Sequence, residues 1–274
     1  MQNKKVIVLS GYARGGTNIA WNLLQSHPEV CSPMYETGQL FRWSWILFIC
    51  KLFLGYPRFC RRMIDAELHR YKMMNLHHID NKYIQEEKVY TAQQIESAAV
   101  CLKSVNYDIL LTEILLKVYP ELYFIALTRN GYALTDGYVR RGKSVAFAAR
   151  LYNRIGKRMR IYADSLSRFK MIKFEDVLQH PFRVAEDLFE FIDVHPQRLG
   201  KLRLKSKKIL NKHNEHKTAF GNEHRKYWFD RESIGNIIDP NVNTHQVNRL
   251  TKEMIGEFNH LAGSTLHFFG YEKL

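Results

Sequence analysis

The sequence predicts an α/β fold in which a central parallel sheet is flanked by helices. Three observations carry this. Residues 5–9 form a short apolar run of strand length, a glycine-rich turn follows, and residues 18–25 then show helical periodicity. A second apolar run, 122–127, follows a helical pattern over 110–118. One more strand candidate, 169–174, precedes a helix over 181–192 that Pro181 opens, since proline at the first helical position loses no needed N–H. Runs that are apolar at successive positions are buried on both faces, as parallel strands are, and the intervening helices supply the crossovers.

The remaining elements fall into place in chain order. Helical patterns fill most of 37–75, and Thr91 caps another helix that runs through Ala98. Val100, Cys101 and Leu102 make a brief strand before the 110–118 helix. A last amphipathic helix covers 246–261. The chain shows no internal repeat, so residues 1–274 are expected to form one domain with a helical insertion at about 37–98.

Composition narrows the function classes. Apolar residues at 46% and charged residues at 25% exclude wholesale disorder. Lys and Arg number 41 against 27 Asp and Glu, a net charge of +14 that predicts an anionic partner. Residues 140–212 hold 19 Lys or Arg against seven Asp or Glu, densest at Lys201, Arg203, Lys205, Lys207 and Lys208. This third of the chain is either a solvated face or the side that meets an anion. The cysteines, Cys31, Cys50, Cys60 and Cys101, contain no CxxC pair and read as free thiols of a reducing compartment. Residues 6–9 are too short for the apolar core of a signal peptide, so a cytoplasmic location is expected. The apolar stretch 43–54 is short of the ~20 residues that span a bilayer. A buried or pocket-lining helix is the reading favoured for it, with Arg58, Arg61 and Arg62 keeping peripheral membrane contact open.

The most informative segment is Ser10-Gly11-Tyr12-Ala13-Arg14-Gly15-Gly16-Thr17-Asn18, between the first strand and the first helix. Glycines let the backbone curl around an anion, and the helix N-terminus adds its amides. The loop is not a Walker A motif: Gly11 and Gly16 are correctly spaced, but Thr17 stands where the lysine belongs. A phosphate-binding loop without nucleotide hydrolysis follows, with Arg14 as its fixed cation.

This loop, with Ser26-His27-Pro28-Glu29-Val30 after its helix, resembles the opening of the PAPS-dependent sulfotransferases, whose G-x-P-R-S-G-T-[ST] loop holds the 5′-phosphate side of 3′-phosphoadenosine-5′-phosphosulfate (PAPS). Three further stretches agree in order. Tyr119-Pro120-Glu121-Leu122 through Thr128-Arg129-Asn130-Gly131 is similar to the strand whose arginine holds the 3′-phosphate. Lys173-Phe174-Glu175-Asp176-Val177 through His180-Pro181 is similar to the "yEDL…dP" segment, and Phe189-Glu190-Phe191-Ile192 to its "FLGl" ending. Together these span residues 5–195, about 70% of the chain. The resemblance implies a P-loop-like architecture, PAPS as cofactor with 3′,5′-ADP as product, and no required metal. It also implies a cofactor site of Ala13, Arg14, Gly15, Gly16, Thr17, Asn18, Arg129 and Gly137. Gly137 stands where the family has a 3′-phosphate serine, so its amide or the nearby Thr135 is expected to take over.

For the reaction, the resemblance implies in-line transfer to an acceptor hydroxyl. Glu36 matches the general base of the glycan and tyrosylprotein types, Lys103 the lysine near the sulfonate, and Arg14 shares the neutralisation. A carbohydrate or glycolipid hydroxyl, on an acidic saccharide or a lipid-linked acceptor, is the expected partner, and nucleic acid is not. Glu175 and Asp176 read as structural, and the His213/His216 and His77/His78 pairs as surface groups. The segment 204–228 is the expected lid. Two other classes stay open: a nucleotide kinase, disfavoured by the missing lysine, and a basic non-catalytic module binding nucleic acid or glycan through 140–212.

Overall fold

The structure, a computed structural model, describes residues 5–33, 35–52, 57–78, 91–195, 199–210 and 215–274. Met34, Phe53, Leu54, Arg198, Lys212, His213 and the side chains of Arg58, His77, His78 and Lys208 lie outside this description, with the corresponding part of the expected lid.

The chain opens with β1 (Val6–Gly11), α1 (Thr17–Leu24) and β2 (Val30–Cys31). Four helices follow: α2 (Thr37–Trp43), α3 (Trp45–Leu52), α4 (Pro57–His78) and α5 (Ala92–Ser97). Then come β3 (Ala99–Val105), a 3₁₀ turn (Asn106–Leu111), α6 (Thr112–Val118), β4 (Tyr123–Thr128), α7 (Gly131–Val139), α8 (Val145–Ser165) and β5 (Phe169–Lys173). After these run α9 (Phe174–Gln179), α10 (Pro181–Phe191) and four short strands, β6 (Leu202–Lys205), β7 (Lys208–Leu210), β8 (His216–Thr218) and β9 (Lys226–Phe229). The helices α11 (Val242–Val247) and α12 (Lys252–Phe268) close the described chain.

The main sheet is parallel throughout, in the order β2-β3-β1-β4-β5. Its centre explains the uninterrupted apolar run at the start of the sequence. Val6 and Val8 point into one core layer, with residues of α6, α8 and α12, while Ile7 and Leu9 point into the other, with α1 and α10. A strand covered on both faces has no polar side to show. The chain crosses to β2 and β3 on one side of β1 and to β4 and β5 on the other. The loops leaving β1, β3 and β4 therefore meet at one crevice beyond the carboxyl ends of the strands, where open α/β sheets hold their ligands.

Several local signals operate as read. Thr91 caps α5, its hydroxyl accepting from Gln94 N at 3.2 Å, and Pro181 occupies the first turn of α10. Others differ. The helical stretch after residue 37 breaks at Ser44, and the strand around Val100 extends over seven residues. The final helix is two helices, divided before Thr251, which caps α12 through Met254 N. Helices α7 and α8 were not legible: α7 is buried along most of its length, so it shows no amphipathic stripe.

Candidate active site

The turn after β1 is built to stay open. Tyr12 is buried, stacks on Tyr152 and donates to Tyr152 O at 2.9 Å, anchoring the loop from beneath. Gly15 N donates to Tyr12 O, and Ala13 N donates to Asn106 Oδ1, both at 2.9 Å. Arg14 and Gly16 both adopt left-handed backbone, with φ of 69° and 88°. At Gly16 a Cβ would run into the Phe174 ring, so only glycine serves there. No side chain caps α1, which leaves its first-turn amides facing the crevice with Thr17 and Asn18.

Glu36 and Lys103 come together beside this loop. Lys103 is buried in β3, and its ammonium lies 2.6 Å from Glu36 Oε1 and donates to Asn18 Oδ1 at 2.6 Å. The indole of Trp21 lies 4.5 Å from the same Nζ. Burial pushes the Lys103 pKa down and the Glu36 carboxylate opposes that shift. Glu36 is N-cap of α2, and its own N–H donates to Gln39 Oε1 at 3.1 Å. Thr37 Oγ1 donates to Lys103 O and Ser104 Oγ donates to Thr37 Oγ1, both at 3.0 Å, so the start of α2 is pinned to β3. The carboxylate itself is 37% exposed, enough for a hydroxyl to approach it.

A cavity of about 170 Å³ opens on this pair, and three more lysines line it: Lys205, Lys207 and Lys226. Burial holds Lys207 down at about 8, with Lys103 and Lys205 pushing the same way. Lys226 is depressed well below the usual lysine range by burial and then by Arg203 and Lys205. Among the described residues lining the cavity, Glu36 is the one carboxylate.

Arg129 occupies the next corner. It is buried at the end of β4, stacks over Phe174 at 4.6 Å, and donates to Arg14 O, Asn243 Oδ1 and Gln246 Oε1. Burial lowers its pKa to about 10, with Glu175 opposing. Glu175 braces the corner, accepting from Asn130 N at 2.9 Å, Tyr271 Oη at 2.6 Å and Asn243 Nδ2. Asn130 caps α7, accepting from Tyr132 N and Ala133 N at 2.9 and 3.3 Å, the task an aspartate performs equally well.

Gly137 lies inside α7, where the helical ladder uses its N–H. Thr135 is buried and donates to Gly131 O at 2.8 Å. The charge at this point comes from Arg14, against which Gly137 packs, and from Arg141, which donates to Gly137 O at 2.6 Å. Burial and then Arg14 lower the Arg141 pKa.

Sequence reasoning thus brought together the loop, Glu36, Lys103 and Arg129, and missed Arg141, Asn243 and Gln246. It noted Lys205 and Lys207 only as part of a basic run. The alternation Lys-Leu-Arg-Leu-Lys over 201–205 was the available strand signal. Among the described residues no three His, Cys, Asp or Glu side chains gather as a metal site.

A profile of the sulfotransferase family matches residues 6–197, well over half of the chain. The chain belongs to the sulfotransferase family. Its fold is similar to the sulfotransferase domain from the curacin biosynthetic pathway, at 13% identity and a TM-score of 0.57, with 100% of both chains covered. It is also similar to the sulfotransferase domain of the Synechococcus PCC 7002 olefin synthase, at 14% identity and a TM-score of 0.51, covering 99% of this chain and 98% of that one. No curated protein matches the sequence. Within this sulfotransferase framework, loop, lysines and carboxylate converge on one crevice at the carboxyl edge of the sheet.

Proposed function

We propose that this sulfotransferase moves a sulfuryl group from PAPS to a hydroxyl on a carbohydrate or glycolipid, with Glu36 as general base. The observation that carries it is Glu36 held 2.6 Å from a buried Lys103 beside a lysine-free phosphate loop. The residues suit PAPS: a tight turn that Gly16 makes possible against the Phe174 ring, an α1 start with no side-chain cap, and the cavity-lining Lys103, Lys207 and Lys226, whose lowered pKa values a bound anion would raise. When bound, PAPS supplies the electrophilic sulfur and phosphates that seek cations. The loop from Ala13 to Asn18 offers amides to the 5′-phosphate side, while Arg129, with Arg14 and Arg141 near Gly137, offers charge to the 3′-phosphate. Proton uptake by Glu36 removes the negative charge that Lys103 faces, freeing the ammonium to stabilise an anionic oxygen there. Asn18 keeps Nζ in place meanwhile. The buried free thiols favour a reducing, cytoplasmic setting, and no helix among the described residues is long and apolar enough to cross a membrane.

The test is thermal stability with 3′,5′-ADP, against ADP and Mg-ATP, because a ligand bound only by the native state raises the midpoint. A shift with 3′,5′-ADP that shrinks in Arg129→Ala supports the proposal. A shift with Mg-ATP alone would point to phosphoryl transfer instead, and no shift with any nucleotide to a basic binding module.

A further inference from the structure

The outer face of α3 is apolar where it meets solvent. Leu47 and Cys50 are buried against the core, while Trp45, Phe48 and Leu52 are 68%, 48% and 64% exposed. At 100° per residue these three fall within one narrow arc of the helix. Trp43, at the end of α2, is 54% exposed, and Tyr107 and Leu110 stand out beside Phe48 along a groove of about 550 Å³. Six of the nine large apolar side chains most exposed among the described residues thus belong to one region. A concentration of this kind marks an interaction surface rather than scattered surface hydrophobics.

The charges around it select the partner. Arg42, Lys51 and Lys117 line the groove and are exposed, and Arg61 reaches over the Tyr119 ring, two residues beyond Lys117. The acids nearby are already committed. Glu113 is paired with Arg158 at 2.6 Å, Asp108 is half-buried and accepts from Gly38 N, and Asp65 accepts from Tyr119 Oη. Indole rings on an apolar ridge with a cationic rim are the pattern of a helix that lies in the headgroup region of an anionic bilayer.

We propose that α3 and the end of α2 dock onto an anionic membrane surface, the ridge of Trp43, Trp45, Phe48 and Leu52 entering the headgroup layer. Docking needs no sulfuryl transfer and stands apart from the reaction proposed above. It has a consequence for the site, because the groove reaches Gly38, two residues from Glu36 on the same helix start. A hydroxyl carried by a membrane component is thereby brought to the mouth of the crevice.

The experiment is co-sedimentation of the full chain with vesicles of phosphatidylcholine containing about 30% phosphatidylserine, against phosphatidylcholine alone, at near-physiological salt. Binding to the anionic vesicles with a blue shift of tryptophan emission is expected. The triple variant Trp45→Ser/Phe48→Ser/Leu52→Ser should lose about tenfold or more of that partition without a lower melting midpoint, since its side chains are exposed. The charge variant Lys51→Glu/Lys117→Glu, which leaves the ridge intact, should lose binding as well. Wild-type partition in both variants, or no vesicle binding at all, overturns the proposal. So does a dimer in solution that the triple variant abolishes, because the ridge would then be a contact between copies of this chain.

Discussion

Two cationic corners of the crevice are built on opposite electrostatic terms. At the arginine corner, Arg129 is surrounded by acceptors: the Arg14 carbonyl, Asn243, Gln246 and, through Asn243, Glu175. At the lysine corner, Lys103, Lys205, Lys207 and Lys226 line a cavity whose one carboxylate among the described residues is Glu36. The first is a brace that links β4, α9 and α11 before any ligand arrives. The second gathers positive charge at a cost in desolvation, which the lowered lysine pKa values record and which an anion would offset. The difference teaches that this fold holds a buried cation in two ways: braced by neutral acceptors, as Arg129 is, or clustered with like charges beside a carboxylate, as Lys103 is.

The largest test of this contrast is Glu36→Gln. It keeps the shape of the lysine corner and removes the proposed base, so kcat should fall about 10²–10⁴-fold while 3′,5′-ADP still raises the melting midpoint. Undiminished turnover would move the chemistry away from the lysine corner. Next is Arg129→Ala, which strips partners from Asn243, Gln246 and the Arg14 carbonyl. A loss of about 1–3 kcal/mol in chemical denaturation is expected, since buried polar groups are left unpaired. A neutral result would mean that the arginine is no brace. Gly16→Ala probes the floor shared by loop and arginine, because the Phe174 ring lies under both. Left-handed backbone and the ring collision together should lower stability by about 1–3 kcal/mol, read as a lower denaturation midpoint.

The lysine corner also makes a pH prediction. Lys207 sits near 8, below the ordinary lysine value, so the folded apo protein releases its proton before the unfolded chain does. Stability therefore gains from this group as pH rises from about 8 toward the usual lysine range. Anion binding has the opposite sign: it favours the protonated lysine, so affinity for 3′,5′-ADP should drop above pH 8, by at most about tenfold per pH unit. Calorimetric titration of Lys207→Arg should show a flatter profile, and an unchanged slope would remove Lys207 from the anion's surroundings. The smallest effect is expected from Gly137→Ser. A Cβ there meets Arg14 only at an ordinary 3.6 Å, and serine is the better helix former, so stability should rise by about 0.5 kcal/mol or less. Destabilisation would show that Arg14 needs that space.

The legible part of the molecule was the part written in short stretches. The apolar strand of residues 6–9, the glycine turn and the helix after it are neighbours in sequence and in space, and caps such as Thr91 act within three residues. The lysine corner was legible only in part: the family resemblance pointed to Glu36 and Lys103, but nothing in the sequence joined Lys205, Lys207 and Lys226 to them. Lys103 comes from β3, Glu36 from the start of α2, and Lys205, Lys207 and Lys226 from a distant strand pair and its flank. A basic run in a sequence is equally well a solvated face, and nothing local says which of its members turns inward.

By itself, then, the sequence determined the doubly covered parallel sheet and a phosphate loop lacking the lysine of nucleotide hydrolysis. Periodicity and turn chemistry are properties of contiguous residues, so they survive without the fold. The tertiary structure alone decided that Asn243 would accept from Arg129, and that Lys205, Lys207 and Lys226 would line the cavity where Lys103 meets Glu36. Those arrangements depend on crossovers that bring together residues as much as 190 positions apart, Glu36 and Lys226, and on the burial that makes each charge expensive.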